Sequence, residues 1–194
     1  MSYFANAGQI LVGFAFGAII TLVVLRVLLQ LVRANFYNPV CQFLYKTTNP
    51  VLMPLRRVIP GWRALDVGAV LLAWLLTGLK LYLLYRLAGR QPGLAGLAVM
   101  ALADLADFVL LLYFALILVR ALLSFVQVQR GNPVVPLIHQ LTEPVLGPLR
   151  RRMPTPGGID FSPMVAGLAI LLARVLLVAP LLDLGARIAL GTMP

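Results

Sequence analysis

The sequence predicts an all-α membrane protein with four transmembrane helices, arranged as two parallel two-span repeats. Three observations lead there. Of the 194 residues, 61% are hydrophobic and 11% charged, with a mean hydropathy of +0.97, whereas soluble domains carry about a quarter charged residues. Several apolar stretches reach the roughly 20 helical residues that a bilayer requires. A proline- and arginine-rich segment also occurs twice, as NPVLMPLRRVIP at 49–60 and EPVLGPLRRRMP at 143–154.

Taken in order, the spans are expected at Gly8–Leu31, Leu65–Leu87, Asp104–Val126 and Asp160–Leu182. The first 25 residues hold no basic side chain. The n-region of a cleaved signal peptide is therefore missing, and the first stretch reads as a retained span. GRQPG at 89–93 breaks the chain between the second and third spans. The following GLAGLAVMALADLAD either extends the third helix or forms a separate interfacial one.

The repeat has a register of 94 residues without gaps. Between 38–66 and 132–160, 13 of 29 positions are identical, among them Asn38/Asn132, Thr48/Thr142, Pro50/Pro144, Pro54/Pro148, Arg56/Arg150, Arg57/Arg151 and Asp66/Asp160. The same register aligns Arg26 with Arg120 and Lys80 with Arg174. Shared greasiness cannot align prolines, arginines and aspartates. The expected units are 1–92, a divergent first copy, and 93–194, a fuller second copy. Two spans per unit bring both copies into the membrane in the same direction, related by a pseudo-twofold axis along its normal.

Both proline-arginine loops then share one face. Nine of the sixteen basic residues lie in them: Arg33, Lys46, Arg56, Arg57, Arg63, Arg130, Arg150, Arg151 and Arg152. That bias predicts cytoplasmic loops with both termini outside, with Arg86 and Arg90 in the opposite loop running against it. The net charge of +10 would suggest nucleic acid in a soluble protein. Here anionic lipid headgroups and topology explain it, and nucleic acid is not an expected partner.

Each loop opens with Asn-Pro, a helix-capping residue followed by a proline that costs no backbone donor at the first turn. Val134, Leu137, Ile138 and Leu141, and more briefly Val40, Phe43 and Leu44, form a one-sided stripe. This predicts a short interfacial helix. Pro50 and Pro144 should end it, and Pro54 and Pro148 should make the following stretch a turn or broken helix, a hinge. Asp66 and Asp160 then stand where they can cap the next span. Two roles remain open for Arg56, Arg57, Arg150 and Arg151. They can set topology and touch lipid phosphate, or they can bridge to Asp66 and Asp160 as a clamp.

Among residues within the spans, Arg26 and Arg120 are expected to snorkel to the near surface, and Lys80 and Arg174 to the far one. An ion path through Arg120, Arg174, Asp104 and Asp107 is the less favoured reading, because the two aspartates fall at a predicted span edge. GFAFG at 13–17 allows close helix approach, inside the bundle or between copies in a homo-oligomer. Cys41 and His139 are the only residues of their kinds, too few for a Cys/His zinc site or a disulfide. No phosphate-binding loop or nucleophile–base motif is evident, so neither a cofactor nor an enzymatic activity is expected.

The second copy closely resembles the signature segment of the YggT family of small multi-pass bacterial membrane proteins. The matching residues are Asn132-Pro133, Thr142-Glu143-Pro144, Pro148-Leu149-Arg150-Arg151, Pro154 and Gly157-Gly158-Ile159-Asp160-Phe161-Ser162-Pro163. The first copy departs from it, with Asn49 for Glu143 and without the Gly-Gly and Ser-Pro pairs. The resemblance implies an inner-membrane protein with links to osmotic or extracytoplasmic stress and, in plastid relatives, to membrane-complex assembly. It carries no catalytic residue. The expected function is a non-enzymatic scaffold or assembly factor. Its basic loops would meet anionic headgroups or a partner protein. The alternative is a small ion or osmolyte channel or transporter.

Overall fold

A computed structural model describes residues 3–58, 65–124, 132–153 and 160–191. Its helices are α1 (Tyr3–Leu31), α2 (Pro39–Val58), α3 (Val67–Leu87), α4 (Leu94–Leu123), α5 (Val134–Arg152), α6 (Ser162–Ala173) and α7 (Ala179–Leu190). A π-helical turn at Arg174–Val178 joins α6 to α7. Four segments are long and apolar enough to span a membrane: α1, α3, α4 and the continuous Ser162–Leu190. In each, between 11% and 28% of the most apolar window is buried. The remaining apolar surface faces outward, which suits lipid rather than water.

Three spans are longer than the sequence suggests. α4 starts at Leu94 and not at Asp104, because the Ala- and Leu-rich stretch after Pro92 and Gly93 extends the helix. Its 30 residues rise about 45 Å, beyond a hydrocarbon core of roughly 30 Å. Asp104 and Asp107 consequently lie roughly 15 to 20 Å inside the helix and not at its edge. α1 begins at Tyr3 rather than Gly8. The last span runs to Leu190, where Gly191 ends it in the left-handed conformation at φ 66°. Pro180 does not stop it. The amide of Ala179 donates to the Arg174 carbonyl in a π-type bond, which accommodates the register change beside proline. The third span's predicted end at Val126, Pro60, Arg63, Arg130, Pro154 and the Gly157–Gly158 pair lie outside the described residues.

α2 and α5 also correct the expected hinge. Each is one helix running through two internal prolines, Pro50 and Pro54 in α2, Pro144 and Pro148 in α5. An interior proline costs about 3 kcal/mol in an isolated helix. The spacing of four places the second missing donor above the first, so the hydrogen-bond ladder opens along one side only. Packing offsets the loss: Leu44, Leu52, Leu137, Leu141 and Leu146 are all buried, and Leu52 and Leu146, equivalent in the repeat, are 0% exposed. Phe43 and Val134, the other members of the apolar stripes, are exposed.

α4 is the central element. It packs on α3, α5, α6 and α7, and Trp74 Nε1 in α3 donates to its Ala98 carbonyl at 3.1 Å. α4 and α7 meet backbone to backbone. A Cβ on Gly96 would stand 2.1 Å from the Ala189 amide nitrogen, and the Gly93 amide donates to the Ala189 carbonyl at 2.8 Å. The glycines of GFAFG behave oppositely: a Cβ on Gly13 or Gly17 meets nothing within 4 Å. Gly96→Ala should therefore destabilise the protein in detergent by about 1–3 kcal/mol, while Gly13→Ala should stay within about 0.5 kcal/mol. Unfolding curves of the two variants, measured side by side, check the contrast.

Candidate functional site: two arginine-anchored proline helices

The two proline-containing helices meet at one end of the bundle. Asn38 Oδ1 accepts from the Val40 amide at 2.9 Å, and Asn132 Oδ1 from the Val134 amide at 2.9 Å. These short bonds start α2 and α5, as the Asn-Pro pairs predict. Asn38 Nδ2 donates across to the Pro133 carbonyl at 2.7 Å, tying the two helix starts together.

An arginine from a span then anchors the middle of each helix. Arg26 in α1 and Arg120 in α4 are buried, at 5% and 8% exposure. This overturns the snorkelling expectation, since the guanidinium groups have partners inside the protein and no need of the surface. Arg26 Nη1 donates to Thr48 Oγ1 at 2.5 Å, and Arg120 Nη1 to Thr142 Oγ1 at 2.7 Å. Each threonine hydroxyl passes a hydrogen bond to the carbonyl four residues back, Leu44 at 2.6 Å and Ile138 at 2.7 Å. These threonine partners were missed, although the register carried the signal by keeping both the arginine and the threonine.

At the far ends of the helices, a second arginine reaches the aspartate preceding the next span. Arg56 Nε lies 3.0 Å from Asp66 Oδ2, with Nη2 also paired to it. Arg150 Nε lies 2.7 Å from Asp160 Oδ2. Both aspartates face the helix beyond: Asp66 Oδ1 accepts from the Ala69 amide at 3.2 Å, and Asp160 Oδ1 from the Ser162 amide at 2.9 Å and its hydroxyl at 2.5 Å. The Asp66 hydrogen bond, then its charge, raises Arg56 above the usual arginine value. Burial pushes the Asp160 carboxyl up, but the Ser162 and Arg150 bonds together hold it below its ordinary range. Arg57, Arg151 and Arg152 are exposed and make no ion pair among the described residues.

The copies differ at one place. Arg120 Nη2 donates to Glu143 at 2.9 Å, and Arg150 stands 3.7 Å from the same carboxylate. The first copy has Asn49 there. Arg26 Nη2 and Asn49 Oδ1 are both buried without a hydrogen-bond partner. Arg26 instead lies against Tyr45, whose ring centroid is 4.5 Å from Cζ and which Phe36 meets edge-on at 5.3 Å.

Lys80 and Arg174 lie apart from this end, each paired with an aspartate of α4. Lys80 Nζ is 2.6 Å from Asp104, and Arg174 pairs with both oxygens of Asp107 at 2.7 and 2.9 Å. The pairs hold α3 and the π turn to α4. A bidentate arginine–carboxylate contact is the stronger geometry. Among the described residues, no group of three or more His, Cys, Asp or Glu side chains could hold a metal.

A family model described as CCB3/YggT matches the chain twice, over residues 5–87 and 99–181, with starts 94 positions apart. A Vibrio alginolyticus protein, described as uncharacterized and lying in the proC 3' region, is 38% identical over 174 residues, 89% of this chain and 94% of its own length. An uncharacterized Pseudomonas aeruginosa protein is 36% identical and covers 81% of each chain. Uncharacterized protein YggT of Escherichia coli K12 is 39% identical and covers 73% of each. No solved structure matches.

The charge network makes stability acid-sensitive. The Arg120 hydrogen bond, followed by the charges of Arg120 and Arg150, holds Glu143 below its ordinary value of 4.5 against the opposing pull of burial. Burial, then Arg120 and Arg150, holds His139 below 6.5. Both groups take up protons less readily folded than unfolded, so stability falls as pH falls. The His139 share is lost from about pH 6.5 downward and the Glu143 share from about 4.5 downward. Melting temperatures in detergent from about pH 8 to about pH 4 should drop by a few degrees over these windows. Glu143→Gln should flatten the lower one and His139→Tyr the upper.

Proposed function

The chain belongs to the CCB3/YggT family, and we propose that it is a non-enzymatic inner-membrane scaffold whose helices α2 and α5 form a fixed basic platform for a partner protein. The observation that carries this reading is the double anchoring of both helices. A buried span arginine holds each at its middle threonine, and a second arginine holds its end to the following span. Two helices pinned in this way and joined at their starts present Arg57, Arg151 and Arg152 in one arrangement. Fixed charges lose less conformational freedom on binding than mobile ones.

The platform lies at the cytoplasmic face, on the bias of the basic residues, with both termini outside. Units 1–92 and 93–194 each contribute one helix, as parallel repeats related about the membrane normal would. Arg56–Asp66 and Arg150–Asp160 act as the clamps that set each helix on its span. Such a scaffold accords with the stress-response and complex-assembly roles that the family resemblance implies. A photoreactive residue in place of Arg57 or Arg151 should give one discrete protein adduct in intact cells, and one in place of the outward-facing Leu118 should not. Lipid adducts alone from all three positions would refute a protein platform.

A second reading, an ion or osmolyte pathway, draws support from Lys80–Asp104 and Arg174–Asp107 deep within the spans, beside a π turn. Charges at that depth cost about 2.5–3.5 kcal/mol each on insertion scales and often mark conduction routes. Purified protein in liposomes should then pass ions faster than empty vesicles, and Asp107→Asn should reduce the flux. Flux equal to that of empty vesicles excludes the pathway.

A further inference from the structure

We infer that the first repeat holds a binding site for a phosphate-bearing anion, in a cavity between α1 and α2. The cavity, about 380 Å³ and open on one side, lies at the junction of α1 and α2. Three guanidinium groups line it, those of Arg26, Arg33 and Arg56, together with the apolar or aromatic surfaces of Leu29, Phe36 and Tyr45. Arg26 is 5% exposed, and its Nη2 has no hydrogen-bond partner. A buried charge with an unused donor is unfavourable unless something completes it.

The repeat itself shows what is missing. In the second copy the equivalent atom, Arg120 Nη2, donates to the carboxylate of Glu143. The first copy has replaced that carboxylate with Asn49, and its amide oxygen makes no bond to Arg26. Over the same alignment Arg33 stands where the second copy has Gln127. One copy thus carries its anion as a side chain. The other has given up the negative charge, gained a positive one and kept the arginine. Arg33 also occupies the left-handed region at φ 52°. There it closes α1 with the Ala34 amide donating back to Leu29 at 2.9 Å, a place where glycine fits best.

The charge balance selects the ligand class. Asp66 pairs with Arg56, so of the three arginines that line the cavity Arg26 and Arg33 form no ion pair among the described residues. A phosphate group offers several acceptor oxygens to converging guanidinium forks. The shared chemistry is a phosphate group, supplied by an anionic phospholipid headgroup or by free phosphate. The site is a half-open hollow confined to one repeat. It does not depend on the exposed arginines of the platform or on any protein partner.

Cys41, the only cysteine of the chain, also lines the cavity and serves as a built-in reporter. The rate of its alkylation by N-ethylmaleimide is measured on the detergent-solubilised protein against inorganic phosphate, dihexanoyl phosphatidylglycerol and zwitterionic dihexanoyl phosphatidylcholine. Saturable protection by phosphate identifies a free-anion site. Protection by phosphatidylglycerol alone identifies a headgroup site. Equal protection by phosphatidylcholine, or none by any of the three, overturns the inference. Arg33→Gln should weaken protection about tenfold, as expected for losing one charge-assisted contact. Asn49→Glu supplies the internal carboxylate of the second copy, and should raise the melting temperature without ligand and abolish protection. An Asn49→Glu protein that is still protected at wild-type concentrations also overturns the inference.

Discussion

The arrangement depends on a buried guanidinium that leaves the end of a span and finds a threonine on the following helix. A charged side chain in an apolar bundle is tolerated only when its donors are used. Arg26 and Arg120 each use Nη1 on a hydroxyl that is already bonded to its own helix, and only Arg120 also places its Nη2, on Glu143. Through that contact a helix with two interior prolines becomes part of the packed core. The threonine hydroxyl stands two residues before the first proline in both copies, close to where the ladder begins to open. The anchor is thus applied where the helix is weakest.

The second organising constraint is α4. It supplies both carboxylates that neutralise the span cations, Asp104 for α3 and Asp107 for the π turn. The cations are equivalent in the repeat, but the carboxylates are not: they sit three residues apart on one helix, and the first copy has Ile10 and Gly13 at those positions. An internal duplication has therefore been made asymmetric, with one copy providing the counter-charge for both. α4 also crosses α7 closely at Gly96.

Hydropathy and the 94-residue register made the four spans and the repeated segment legible in the sequence. Pairs kept between copies, such as Arg56 with Asp66, were legible as candidate contacts because both members recur together. The prolines misled. Local rules end a helix before Pro50 and Pro144, and only the burial of Leu52 and Leu146 beyond them explains why it continues. The extent of α4 was obscured because a charge at Asp104 looks like an end until its partner Lys80 is seen. Burial of Arg26 and Arg120 was equally hidden, since a position near a span end fits snorkelling as well as anchoring. In each case the deciding partner is 20 or more residues away, where periodicity carries no information.

The Arg174–Asp107 pair has a consequence for how the protein is made. Spans enter the bilayer in order, and Lys80 is present by the time α4 delivers Asp104. Asp107 arrives with the same helix, but its partner is 67 residues further along the chain. Until the last span is inserted, an ionisable group stands mid-helix without its arginine, and a chain that stalls after α4 carries an uncompensated acid inside the bilayer. Completion of synthesis is thus written into the charge balance: the final span neutralises what the third one leaves open.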